Sequence, residues 1–158
     1  MYYKDLSKYC YGHRDQKENS YNVGWLDHNH SYKKRKVREQ FLDKLWGYFS
    51  YPVHIYRGFH NCQLCEKQEQ GIPLIVYKGE TRKAGFYEIR VFDSEGNSYA
   101  APSLIFHYIT CHNYLPPQEF VDAVESGNVS CQEYYERILK YSDGDDFWLR
   151  EDRTLAGR

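Results

Sequence analysis

Within six residues the chain carries His60-x-Cys62-x-x-Cys65, and this cluster constrains the fold more than any other part of the sequence. In extended backbone, residues two apart face the same side, so His60 and Cys62 can address one point while the following turn returns Cys65 to it. The next residues, Glu66 to Gly71, are polar and end in glycine, which places the pair at a loop tip. A redox role for Cys-x-x-Cys needs an amphipathic helix starting at the cysteines inside a βαβ unit, and no such helix follows. Two readings remain, reduced thiols with His107 packed against the sheet, or metal ligation, and the second is the leading one because two thiols with imidazole suit zinc.

Zinc in a structural site takes four nitrogen or sulfur ligands, so other segments must contribute. The stretch 103–113 supplies His107, Cys111 and His112, with His107-x4-His112 inside the spacing common in zinc fingers. At 100° per residue the two histidines diverge by roughly 140° on an ideal helix, less if the last turn loosens before Pro116 and Pro117. Two ligand sets therefore compete: His60, Cys62 and Cys65 with one helix histidine, or Cys62, Cys65, His107 and His112. Either set brings residues 60–65 against 107–112. Cys10 and His13, and His28 and His30, lie in polar sequence without a scaffold and read as solvated.

The surrounding pattern predicts an α+β fold, a small antiparallel sheet with an N-terminal helix and C-terminal helices, clasped by zinc. Val37, Phe41, Leu42, Leu45 and Phe49 recur at helical spacing up to Pro52. Val53–Arg57 and Ile72–Tyr77 read as strands flanking the cysteine loop. Phe86–Phe92, a turn over 93–97 and a return at Ser98–Ala100 form a hairpin. Pro102 opens a helix over 103–113, a second runs from Pro117 to Ser126 before Gly127, and Ser130-x-x-Glu133 opens a third as a capping box.

With 158 residues the chain has the length of a single domain over 1–158, its ordered core at about 22–142 and its polar ends looser. Lys and Arg number 21 against 22 Asp and Glu, so no global field favours nucleic acid or membrane. No signal peptide begins the chain and no run approaches roughly 18 apolar residues, from which a cytoplasmic location without membrane contact is expected. Five cysteines, an odd number, fit reduced thiols or metal ligands.

Motifs for zinc deaminases, metalloproteases, nucleotide-binding loops and hydrolase nucleophiles are absent, so no catalytic residue is assigned. The leading expectation is a zinc-stabilised interaction module binding another protein, as an inhibitor or immunity-type partner would, through a surface rich in the 17 tyrosines. Two alternatives stand beside it. One is a metal-dependent enzyme with an open zinc position near His60 and His112. The other is a nucleic-acid binder using Lys33, Lys34, Arg35, Lys36 and Arg38, although these cations precede a helix whose macrodipole favours negative charge there.

Arg57-Gly-Phe-His-Asn-Cys-Gln-Leu-Cys65, Glu88-Ile-Arg-Val91, Ala101-Pro-Ser-Leu-Ile-Phe-His-Tyr-Ile109 and His112-Asn-Tyr-Leu-Pro-Pro-Gln-Glu-Phe120 taken together resemble an uncharacterised family of small bacterial proteins. The resemblance runs from about Asn22 to Val124. It implies a bacterial source and one intact domain, and draws His60, Cys62, Cys65, His107 and His112 together as a set without assigning ligands or an activity.

Overall fold

The hairpin is the strongest local signal, and it supplies two of the three strands of the main sheet in the computed structural model, which describes residues 1–10 and 19–141, the last three for backbone only. Strands β4 (Glu88–Phe92) and β5 (Ser98–Pro102) pair antiparallel. Asp93 closes their turn by accepting the amides of Glu95 and Asn97 at 2.9 Å each. A third strand, β1 (Ser20–Asn22), pairs parallel to β5 and gives the order β1-β5-β4. Its side chains are polar, and the hydroxyls of Ser20 and Ser98 satisfy each other at 2.7 Å beneath the surface. His13 and residues 142–158, including most of the polar C-terminal end, lie outside the described residues.

The helices follow the expected apolar spacing. Helix α1 (Glu39–Tyr48) buries Phe41, Leu45 and Tyr48, and Phe41 meets Phe120 of α3 (Gln118–Ser126) at 6.4 Å between ring centroids. Helix α2 (Ile105–His112) buries Ile105, Phe106, Tyr108 and Ile109. Helix α4 (Gln132–Tyr141) buries Tyr134 and Ile138. The architecture is α+β, with four helices and two small sheets among the described residues.

Three local expectations change. Residues 53–57 form no strand: Val53 makes a single bridge to Glu88, and His54 then turns the backbone into the left-handed region at φ 47°. Strand β2 (Leu74–Tyr77) therefore pairs with β3 (Glu80–Lys83), through a Lys78-Gly79 turn in which both residues have positive φ. Pro102 ends β5, and α2 starts three residues later than that proline.

The face of β4 that alternation would assign to solvent is also buried. Arg90 and Glu88 are 1% and 0% exposed and joined at 2.7 Å, Tyr56 and Tyr9 donate to the same carboxylate, and the Tyr9 ring lies 4.5 Å from the guanidinium. A buried pair of this kind holds because each charge is paired and hydrogen-bonded. It ties the N-terminal segment and residues 53–56 to the sheet.

Candidate metal centre

The loop carrying the cysteines is anchored at both ends to one point of the fold. The His60 amide donates to Gly85 O at 2.7 Å, and Ala84 N donates to Pro73 O at 2.8 Å. The Gly85 amide in turn donates to Ser103 Oγ at 2.8 Å, just before α2. Gly85 has φ 85°, and a Cβ there would collide with the His60 carbonyl and lie 3.1 Å from the Pro73 ring. Only glycine allows both loop ends to approach so closely.

This anchoring lays residues 62–65 against the side of α2 that carries His107 and His112. Cys65 Sγ lies 3.2 Å from His107 Nε2 and 3.3 Å from His112 Nε2, and Cys62 Sγ lies 3.4 Å from His112 Nε2. The four ligand atoms all fall within 4.8 Å of one another. Around a tetrahedral ion with sulfur at about 2.3 Å and nitrogen at about 2.0 Å, sulfur and nitrogen stand about 3.5 Å apart. The cluster thus has the dimensions of a tetrahedral sphere, and Cys62, Cys65, His107 and His112 can hold a metal ion.

Both histidines lie within α2, which ends at His112, and their side chains reach toward each other across the nominal divergence. Asn113 takes the left-handed conformation at φ 54° and its amide returns to Tyr108 O, a C-cap that stops the helix there. The imidazole rings stand 5.1 Å apart at 70° to each other.

Burial keeps Cys62, His107 and His112 toward their uncharged forms in the metal-free protein. Burial pushes the Cys62 thiol up to about 11, opposed by the amides of Leu64 and Cys65 directed at its sulfur. Those amides would stabilise a ligating thiolate. Burial lowers His107, reinforced by neighbouring His112; burial also lowers His112, reinforced by Lys34. Both rings are therefore neutral at pH 7, the form in which imidazole ligates.

His60 is not part of this group. Its backbone anchors the loop while its side chain is exposed, with the ring 6.4 Å from that of Tyr56. Strand alternation would place it beside Cys62, but residues 59–62 form no strand. Cys111 is exposed, with Sγ 3.8 Å from Thr110 Oγ1. His28 contacts Gln63 and His30 contacts Asp27.

The basic residues precede α1, as expected, with Arg38 at its N-cap, and residues 33–35 also run beside the end of α2. Lys34 bridges to Tyr114, Arg35 N donates to Asn113 O at 2.8 Å, and Leu115 N donates to Lys33 O at 2.9 Å. The cations of this stretch thus lie beside the C-terminal end of α2, where the macrodipole favours positive charge. Arg38 stands apart from them, held by Glu125.

A cavity of about 340 Å³ opens beside Cys65 and His107, with Glu69, Leu74 and Phe106 among its walls. Among the described residues no helix is long and apolar enough to cross a membrane.

The family model for a domain of unknown function, DUF7919, matches residues 1–125, a span that contains the entire metal-ligand cluster. No curated protein and no solved structure matches the chain.

Proposed function

We propose, from the premise that the chain belongs to the DUF7919 family, that Cys62, Cys65, His107 and His112 bind one zinc ion and that the clasped loop forms part of a protein-interaction module. The observation that carries this reading is the four-ligand cluster itself, with its sulfur–nitrogen separations of 3.2 to 3.4 Å. Two thiolates and two imidazoles form a donor set suited to zinc, whereas calcium and magnesium require oxygen. Bound zinc would supply cross-linking between a loop and a helix separated by some forty residues of chain, which is a structural role.

An interaction surface is supported by apolar side chains close to the clasp. Ile72, Leu74 and Val76 are 42%, 54% and 64% exposed on the segment that follows the cysteine loop. Clustered exposure of this kind is typical of surfaces that meet other proteins. Zinc would hold the start of that segment in place through Cys65.

A metal-dependent enzyme is the second reading, favoured by the cavity beside Cys65 and His107 with the Glu69 carboxylate in its wall. It requires one ligand position to be open, whereas the geometry supplies four protein ligands. Purification without chelator tests the leading reading. About one zinc per chain is expected, and Val76→Asp should retain that zinc while losing partners captured by the wild-type protein. Substoichiometric zinc, or identical partner capture by both proteins, would count against it.

A further inference from the structure

We propose that residues 33–36, with Tyr32, form a binding surface for single-stranded nucleic acid. Lys33, Lys34, Arg35 and Lys36 are consecutive and all exposed. Among the described residues no carboxylate lies within ion-pair distance of any of them. Several other cations are paired: Arg38 with Glu125, Lys78 with Glu39 and Asp43, and Arg137 with Glu133. The C-terminal end of α2 offers about half a negative charge. Against four full positive charges this explains their location but leaves most of the charge unmatched.

The strip is also preorganised. Its hydrogen bonds to Asn113 and Leu115 hold it extended beside the end of α2, so successive cations alternate along a fixed backbone. Aromatic planes adjoin it. Tyr32 is half-buried, with its hydroxyl on the His112 carbonyl at 3.3 Å, its ring 6.1 Å from that of Tyr114, and Lys34 Nζ 5.2 Å from its centroid. His30 stacks flat on Tyr2 at 3.6 Å and remains exposed. Cations that follow a backbone, next to rings on which bases stack, are the combination used by single-strand binders. The chain's net charge of −1 makes the attraction local.

The test is fluorescence anisotropy with labelled twelve-nucleotide single-stranded RNA and DNA over a salt series, using metal-loaded protein. Four phosphate contacts predict a slope of about −3 in log affinity against log salt. A variant with all four cations changed to Ala should bind at least ten-fold more weakly with a nearly flat salt response. Tyr32→Leu should weaken binding several-fold without changing the slope. Circular dichroism and zinc content matching wild type would establish that both variants retain the fold and the clasp. Absence of binding at low salt, an unchanged slope in the four-cation variant, or preference for phosphatidylserine vesicles over oligonucleotides would overturn the proposal.

Discussion

His107 Nε2 lies 3.2 Å from Cys65 Sγ, joining the middle of α2 to a loop whose two ends meet at residues 84 and 85. His112 adds contacts to both thiols from the end of the same helix. The centre is therefore built by two short segments, one stiffened by helical hydrogen bonds and the other by its crossing at Gly85.

Ligand substitution separates the two histidine classes. His107→Ala and His112→Ala are expected to lose bound metal, whereas His60→Ala should keep about one equivalent. Loss of metal present at a thousand times its Kd removes about 4 kcal/mol, on the order of 10 °C in melting temperature for a chain of this size. Elemental analysis and thermal unfolding with and without chelator measure both quantities.

Gly85→Ala should damage the centre without touching a ligand. The positive φ and the collision with His60 O force the loop ends apart, at a cost of about 2 to 4 kcal/mol. Weakened metal retention together with a lower melting temperature is the expected outcome. Unchanged retention under competition by a chelator would show that the crossing does not position the cysteines.

The metal-free protein should have a bounded pH range. His107 and His112 have folded pKa values lowered below 6.5. As pH falls below 6.5 the unfolded chain takes up protons that the native state refuses, so stability falls. Cys62 is raised from 9.0 to about 11, so between those values the unfolded thiol ionises first and stability falls as pH rises. In the metal-loaded protein the thiolate is already the bound form, and the alkaline loss should disappear. Melting temperatures from pH 5 to pH 10.5, with and without chelator, check both limbs.

Sequence periodicity located α1, α2, α3 and the β4–β5 hairpin because each is a local pattern with its own stop signal. It narrowed the candidate metal ligands to two sets, and which set comes together depended on the placement of α2 and on whether residues 59–62 are extended. Neither is a property of spacing alone. Strand β1 was hidden because its burial is satisfied by the Ser20–Ser98 hydroxyl pair across 78 positions, not by apolar side chains. The left-handed turn at His54 broke a convincing alternation, since nothing in Val53–Arg57 announces it. The burial of Glu88 and Arg90 has no local signal, because the partners that permit it, Tyr9 and Tyr56, come from distant segments.

That buried pair gives a sharp stability prediction. Glu88→Ala leaves a guanidinium with 1% exposure without its carboxylate and should cost about 3 to 5 kcal/mol. Replacing both partners, Glu88→Leu with Arg90→Met, should recover most of that loss. Urea denaturation of the single and double variants measures the difference, and a single variant as stable as wild type would contradict the structural role assigned to the pair.

The most direct measurement is X-ray absorption at the zinc edge of protein purified without chelator. Two sulfur scatterers at about 2.3 Å and two imidazole nitrogens at about 2.0 Å are expected, with no light-atom ligand from solvent. A shell of three protein ligands and one oxygen would support the enzyme reading. A zinc shell without sulfur, or no zinc at all, would contradict the clasp itself.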